Sequence, residues 1–194
     1  MWIYQKRLQF PINITNPDLN VAKALMAQYG GPDSELAAGV RYLTQRFSMP
    51  DDRLRATLND IGTEEIAHWE MIGTMIYQSV EGASLQELRA AGLAGYYTLH
   101  GRGIYPADPN GVPFTASYIQ STGDPLADIA EDLAAEQKAR AAYEHIMDQT
   151  DCEQYLAPLR FLRQREVVHF QRFSECMNIL KELYPDDRGG YVRR

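Results

Sequence analysis

The chain has 194 residues, of which 45% are hydrophobic, and its formal net charge is -7. This length predicts one domain, residues 1–194, that ends in a flexible tail at residues 186–194. The acidic balance gives no electrostatic reason to expect nucleic acid or an anionic membrane surface as a partner. With neither a signal peptide nor a run of about 20 apolar residues, we expect no export through a signal peptide and no membrane span. Two cysteines, Cys152 and Cys176, are too few for a disulfide framework.

The first third of the chain predicts an arm followed by a broken helix. Residues 1–15 mix aromatic, basic and apolar positions around a proline, a pattern that favours an extended arm over a helix. Such arms often pack on a neighbouring subunit. Asn16, followed by proline, is the predicted N-cap of a helix that reaches Tyr29. The Gly-Gly-Pro-Asp sequence at residues 30–33 then interrupts the helix, which is expected to continue toward Met49.

The middle of the chain predicts one long helix, one short helix and a crossover. The Pro-Asp-Asp sequence at residues 50–52 begins a helix expected to run to about Gln78. Ser84 has a glutamate three residues later, the spacing of a capping box, which predicts a short helix ending near Gly92. The stretch from Gly92 to Thr122 is rich in Gly, Pro, Tyr and Asn and has no helical period, so it predicts a long crossover loop.

Two further helices complete the predicted architecture. The Gly-Asp-Pro sequence at residues 123–125 begins a third long helix that ends near Thr150. After a short lead-in from Glu153, a fourth is expected to run from about Pro158 to Tyr184. The fold class is therefore predicted as all-α: a four-helix bundle with a long crossover between its second and third helices.

The second and fourth long helices each carry a Glu-x-x-His motif in an apolar seam. The seam of the second helix repeats at steps of four and three, as bundle seams do, through Leu54, Leu58, Ile61, Glu65, His68, Ile72 and Met75. The seam of the fourth helix repeats in the same way through Leu159, Leu162, Glu166, His169, Phe173, Cys176, Leu180 and Leu183. A glutamate and a histidine thus stand at core positions in the middle of each stripe.

The other two helices each add one inward glutamate. The third helix has the seam Leu126, Ile129, Leu133, Glu136, Arg140, Tyr143 and Met147. In the first helix, Glu35 and Tyr42 lie two turns apart and face the same way. Ionised carboxylates are too costly to bury without a partner, and two divalent cations would neutralise four glutamates. The predicted metal ligands are Glu35, Glu65, His68, Glu136, Glu166 and His169, the inventory of ferritin-like dimetal proteins.

Neighbouring polar residues favour other roles. A single Glu-x-x-His motif is more often a solvated pair than a ligand pair, but two motifs in register with two seams favour the metal. Glu64 and Glu70 lie beside the first motif but off its seam, which indicates surface or helix-to-helix contacts. Arg140 is expected either to extend along the edge of the core toward water or to orient a ligand carboxylate, and the second role is favoured slightly. His100 and His145 fall outside the seams and are expected to be structural.

Several runs resemble the manganese catalases. They are residues 62–68 with 70–72, 135–136 with 139–140, and 165–169. The opening residues 1–4, the break at 28–31, the run 41–45 and the stretch 111–119 are similar to a short branch of that family typified by spore coat protein JC. The resemblance covers nearly the whole chain. Where some members have an arginine before the glutamate of the third helix, this chain has Ala135.

The resemblance implies a ligand assignment that spacing does not supply. Glu35, Glu65 and His68 would bind one manganese ion, and Glu136 and His169 would bind the other, with Glu65 bridging the two. The spacing makes Glu166 a sixth candidate ligand.

For Glu166 and Tyr42 the resemblance implies catalytic roles beside the metals. Glu166 would hydrogen-bond the solvent that bridges the ions and act as the acid-base group, and Tyr42 would be a hydrogen-bond donor. The reaction would be the dismutation of hydrogen peroxide to water and dioxygen. The resemblance also implies a homohexamer, located in the cytoplasm or in a spore coat with other coat proteins as partners.

Two other functions stay open. A di-iron oxidase or an iron-storing ferritin relative would use the same ligands, because carboxylate and imidazole suit iron as well as manganese. A mainly structural coat protein would use the metal site to hold the bundle together.

Overall fold

The computed structural model describes residues 7–185, which fold into an all-helical bundle without a β-strand in that range. The predicted fold class is therefore confirmed. The α-helices are α1 (Leu19–Gly30), α2 (Glu35–Gln45), α3 (Asp52–Val80), α4 (Leu85–Ala90), α5 (Ala94–His100), α6 (Pro125–Met147) and α7 (Glu153–Leu183). Helix α2 packs mainly on α3, and α6 packs mainly on α7. No helix among the described residues has the length and apolarity to cross a membrane.

Side-chain caps set most helix starts, and one predicted cap is wrong. Ser34, Asp51 and Asp124 accept backbone hydrogen bonds at the starts of α2, α3 and α6. Helix α1 begins later than predicted because Asp18, rather than Asn16, accepts hydrogen bonds from the first turn. The backbone N–H of Asn16 instead donates to the side chain of Gln154, which keeps this residue outside the helix.

Helix α7 begins at Glu153 rather than at the predicted Pro158, which lies inside it. A proline in the second turn forfeits only one early hydrogen bond, to the carbonyl of Gln154, so the helix tolerates it there. The buried ring of Tyr155 also anchors the first turn, where its hydroxyl accepts a hydrogen bond of 2.9 Å from the backbone of Asp18.

Two other helices end earlier than expected. Helix α2 stops at Gln45 instead of continuing toward Met49, and α6 stops at Met147 instead of near Thr150. In both places the following backbone N–H groups bond to carbonyls three residues earlier, which tightens the chain into turns. The short capped helix α4 forms as predicted, with both halves of the capping box present at Ser84.

The crossover from Gly92 to Thr122 is not free of helix, which corrects the prediction. It contains α5 and a 3₁₀ turn at Ala116–Tyr118. Helix α5 buries none of its residues, so its sequence has no apolar seam from which to predict it. The end of the crossover is tied to the bundle by Arg41 of α2, whose guanidinium donates to the carbonyls of Tyr118 and Ile119 at 3.0 and 2.9 Å.

The apolar core forms two clusters, one on each side of the bundle's middle. One surrounds Met71 and Leu162, and the other surrounds Leu58 and Phe173. The predicted seams of α3 and α7 are buried, except that Leu183 is 44% exposed. In α6, four predicted seam residues are only partly buried: Leu126, Leu133, Arg140 and Met147.

The N-terminal arm crosses the surface of its own chain. Residues 7–15 contain no helix. The backbone of Ile14 donates to Gln78 of α3 at 2.7 Å, and the backbone of Thr15 donates to Gln154 of α7 at 2.9 Å. The rest of the predicted arm, residues 1–6, and the predicted tail at 186–194 lie outside the described residues.

Candidate metal centre

Four helices bring the six predicted ligands to one place between the two apolar clusters. Glu35 stands in the first turn of α2, Glu65 and His68 in the middle of α3, Glu136 in α6, and Glu166 and His169 in the middle of α7. Each of the six is at most 2% exposed. The side chains therefore share a space that water does not reach freely.

The six side chains form two overlapping sets of four. In each set, one ligand atom from every residue lies within 4.8 Å of the others. The first set is Glu35, Glu65, His68 and Glu166, and the second is Glu65, Glu136, Glu166 and His169. Because Glu65 and Glu166 belong to both, the arrangement suits two cations side by side.

The carboxylate of Glu65 lies between the two histidines. Its Oε2 is 2.8 Å from His68 Nδ1, and its Oε1 is 2.7 Å from His169 Nδ1. The outer carboxylates are farther away: Glu35 Oε2 is 3.5 Å from His68 Nδ1, and Glu136 Oε2 is 3.6 Å from His169 Nδ1. One oxygen for each histidine is the geometry that a carboxylate bridging two metal ions requires.

Several atoms of the cluster have no hydrogen-bond partner within the described part of the chain. These buried atoms are Glu65 Oε1, Glu136 Oε2, Glu166 Oε1 and His169 Nδ1. Glu65 Oε1 and His169 Nδ1 lie close together, but their contact does not have the angles of a hydrogen bond, so both atoms remain unpaired among the described residues. Leaving buried polar atoms unpaired is costly. Metal ions fit this donor set because they would satisfy all of these atoms at once.

Without a metal, the cluster holds protons. Burial, and then the charge of Glu65, raise the pKa of Glu35 and of Glu166 well above the usual value. Burial alone would lower the pKa of His169, but the neighbouring carboxylates outweigh it and raise the pKa to about 12. The same balance raises the pKa of His68. Glu65 keeps its charge, because His169 and His68 lower its pKa more than burial raises it.

Two tyrosines each hold one oxygen of an outer glutamate. The hydroxyl of Tyr42 donates to Glu136 Oε1 at 2.5 Å, and the hydroxyl of Tyr143 donates to Glu35 Oε1. Burial, and then the charge of Glu136, raise the pKa of Tyr42 well above 10.0, so its hydroxyl keeps the proton it donates. In each case the other carboxylate oxygen is left to face the cluster. Tyr143 lies in the seam two turns after Glu136, which was the available signal, but the sequence did not distinguish it from a packing residue.

Comparison with known proteins agrees with this donor set. A family model described as "Manganese containing catalase" matches residues 1–187. The chain belongs to the manganese-containing catalase family.

Several relatives of this chain are named as manganese catalases. It is 50% identical to "Protein CotJC" of Bacillus subtilis (strain 168) over 182 residues, which cover 94% of this chain and 96% of that protein. It is 32% identical to a "Probable manganese catalase" of Clostridium acetobutylicum over 186 residues, or 93% of this chain and 81% of that one. The crystal structure of KatB, a manganese catalase from Anabaena PCC7120, superposes with a TM-score of 0.88 at 30% identity, covering 100% of this chain and 87% of that one.

Glu64 makes the helix-to-helix contact that its position off the seam predicted, and it also contacts a histidine of the cluster. It makes the expected helix-to-helix contact, because Arg165 of α7 donates to its two oxygens at 2.8 and 3.1 Å. It also lies 3.0 Å from His169 Nε2. Partial burial would raise the pKa of Glu64, but the neighbouring His169, His68 and Arg165 lower it well below the usual value. Its role could not be predicted, because the contact depends on how α7 lies across α3.

Arg140 does not orient a ligand carboxylate, which corrects the prediction. Its guanidinium bonds to Gln137 at 3.0 Å and to Glu144 at 2.8 Å, both on its own helix. The side chain is long enough to reach the surface beside α6, where the carboxylate one turn later neutralises it. His145 is exposed and His100 stacks on Tyr105, and neither belongs to the two ligand sets.

A buried polar group next to the centre was missed by the sequence analysis. Asp132 of α6 is fully buried beside Gln45 and Arg41 of α2, and burial chiefly raises its pKa. Asp128, one turn earlier, accepts hydrogen bonds from Thr122 and from the backbone that enters α6. Asp128 and Asp132 precede Glu136 at steps of four, and this acidic stripe was the signal that an apolar period does not register.

A small cleft between α2 and α6 reaches the centre. Glu35, Tyr42 and Glu166 line its inner end. Small side chains line it on both helices, with Ala38 on α2 and Ala135 on α6. Ala135 therefore borders the cleft beside the cluster.

Proposed function

We propose that this chain is a dimanganese catalase that dismutates hydrogen peroxide to water and dioxygen. The observation that carries the proposal is the pair of overlapping buried ligand sets, in which Glu65 offers one oxygen to the side of each histidine. The family supports manganese as the metal and peroxide as the substrate.

Within that proposal each ligand has a defined place. Glu35 and His68 would hold one manganese ion, Glu136 and His169 would hold the other, and Glu65 would offer one oxygen to each. Bound as a pair, the manganese ions supply the exchange of two electrons with peroxide. The rest of the chemistry is proton transfer and binding, which the side chains provide.

Glu166 is the group that moves protons. Oxidation of one peroxide to dioxygen releases two protons, and reduction of a second peroxide to two waters consumes two. Glu166 belongs to both ligand sets, and its Oε1 has no hydrogen-bond partner among the described residues. Its place between the two sets would let it take a proton from one peroxide and return a proton to the next.

The surroundings keep the reacting groups in place and limit what enters. Tyr42 and Tyr143 fix one oxygen each of Glu136 and Glu35, so the other oxygen stays turned to the centre. The cleft past Ala38 and Ala135 is small, so we expect it to admit a molecule of the size of peroxide rather than a larger reductant.

The test is the yield of dioxygen from peroxide with protein produced in the presence of manganese. The proposal predicts one dioxygen for every two peroxides consumed, with no added reductant. Metal-free protein and protein loaded with iron(II) are the controls. Activity found only with iron, or peroxide consumption without dioxygen, would contradict the proposal and indicate a di-iron oxidase or an iron-storing protein instead.

We further propose that the chain acts in a spore coat, because 50% identity to CotJC extends over nearly the full length of both proteins. Fractionation of spores from a sporulating host is expected to find it in the coat extract, and sedimentation of the purified protein is expected to show a hexamer.

His68→Ala distinguishes a catalase from a mainly structural coat protein. A mainly structural protein would lose stability and assembly with no dioxygen yield to lose, whereas the catalase would lose its dioxygen yield.

A further inference from the structure

The outer nitrogens of both histidines face a carboxylate outside the metal cluster. The rings of His68 and His169 stack with centroids 5.6 Å apart and an angle of 22° between their planes. Their Nδ1 atoms both point to Glu65 at the centre. Their Nε2 atoms both point the other way, to Glu64.

The two distances to Glu64 differ. Glu64 Oε2 is hydrogen-bonded to His169 Nε2 at 3.0 Å. Glu64 Oε1 lies 3.6 Å from His68 Nε2, and that nitrogen has no hydrogen-bond partner in the described residues. A single carboxylate therefore serves one ring directly and presents its second oxygen to the other.

Glu64 is itself held from two sides. Arg165 of α7 grips both oxygens in a fork, at 2.8 and 3.1 Å. From the N-terminal arm, the amide of Gln9 donates to Oε1 at 2.5 Å. The side chain of Glu64 is only 16% exposed, so these donors fix it in one orientation. The arm and α7 are thus linked through Glu64 to the two imidazoles.

We propose that Glu64 is the positioning residue for both histidine ligands. As an ionised acceptor on the Nε2 side, it selects the tautomer with the proton on Nε2, which leaves the Nδ1 lone pair free for a metal. It also sets the planes of the two rings and makes the imidazoles more basic donors. The proposal rests on the proposed metal site, and it adds Gln9 and Arg165 as the groups that hold Glu64.

The direct test is Glu64→Gln, which keeps the size of the side chain and removes its charge. The amide is a weaker acceptor and turns an N–H₂ group toward donors. We expect manganese(II) to bind about 10–100-fold more weakly, measured in the full-length protein by competition with a chelator. The absorption spectrum of the manganese-loaded protein is also expected to change, because the ligand field of the histidines changes.

The matched control is Glu175→Gln, the same charge change at an exposed position on α7. It is expected to bind manganese as the wild type does. Glu64→Gln with wild-type manganese affinity and an unchanged spectrum would overturn the proposal. A lower unfolding temperature of the metal-free protein, with affinity retained, would also overturn it, since Glu64 would then be only an ion pair between helices.

A second variant guards against misfolding of the first. Arg165→Gln releases Glu64 without touching a histidine or the carboxylate, and it is expected to weaken manganese binding less than Glu64→Gln does. Wild-type affinity in this variant would remove Arg165 from the proposal. If the wild type itself binds no manganese, the proposed function fails instead, so the two failures are distinguishable.

Discussion

Burying Glu65 between four helices is the residue-level fact from which the chemistry follows. A buried carboxylate needs hydrogen bonds or opposite charge. Here the neighbours on the inner side are three more carboxylates and two imidazoles. In the metal-free protein, protons on His68 and His169 provide the compensating charge. In the loaded protein, dications would provide it.

This exchange of protons for metal predicts a pH dependence. His68 and His169 have raised pKa values, so their protons stabilise the metal-free fold at low pH and this contribution is lost as pH rises through the raised values. Metal must displace these protons and the one on Glu35. We expect the apparent affinity for manganese(II) to rise with pH across the neutral range.

The measurement is proton release in weak buffer during titration with manganese(II). Acid should appear in proportion to the metal bound, and His68→Ala should release less. Binding with no proton release at neutral pH would contradict the protonation assigned to the cluster.

Glu166→Gln separates metal binding from turnover. The amide preserves the shape of the side chain but cannot carry a proton between two peroxides, so we expect metal content to stay near wild type. Dioxygen evolution is expected to fall by about 10²–10⁴-fold, the usual effect of removing an acid-base group. Elemental analysis and an oxygen electrode measure the two quantities. Wild-type turnover in this variant would remove Glu166 from the reaction.

At the scale of elements, the seams made the centre predictable. In α3 and α7, long apolar series place Glu65, His68, Glu166 and His169 on the inner face, and the structure brings all four together. The predictions that failed concern features without such an apolar period. No residue of α5 is fully buried, and the place of Glu64 depends on the packing of α7 against α3.

Helix ends and the contacts of polar side chains were predicted less well than the seams. The start of α7 was wrong because a proline usually marks a first turn, whereas Pro158 sits in the second. Tyr143 was counted as packing because a sequence does not show where its hydroxyl ends. Asp132 is buried beside a buried arginine and glutamine, a pairing that only the approach of α2 to α6 creates.

The close contact between α1 and the crossover requires a residue without a side chain at position 30, which is Gly30. A Cβ at Gly30 would lie well inside contact distance of backbone atoms of Pro106 and Ala107, which cannot move as a side chain can. We expect Gly30→Ala to lower the free energy of unfolding by about 1–3 kcal/mol. Denaturant unfolding measures it.

Gly95 in α5 is the control for the same substitution. A Cβ there would meet nothing within 4 Å. Gly95→Ala is therefore expected to leave the free energy of unfolding unchanged or to raise it by up to about 1 kcal/mol, because alanine favours a helix more than glycine does. Equal stability losses in the two variants would show that Gly30 is not a close-contact position.

At the scale of the molecule, the candidate metal centre lies between the two apolar clusters and its proposed ligands come from α2, α3, α6 and α7. Metal binding to the folded state alone stabilises it, by about 2.7 kcal/mol when free metal is 100 times the dissociation constant. Removal of metal with a chelator should lower the unfolding temperature by several degrees, and manganese(II) should restore it. Scanning calorimetry checks this, with magnesium as the control cation. An unfolding temperature indifferent to manganese would contradict the ligand role of these helices.

Anomalous diffraction at the manganese absorption edge, from crystals of protein produced with manganese, tests the central claim most directly. The account predicts two peaks about 3.5–4 Å apart, one beside Glu35 and His68 and the other beside Glu136 and His169, with Glu65 between them. Peaks confined to the surface, or none among these buried side chains in a fully loaded sample, would contradict it.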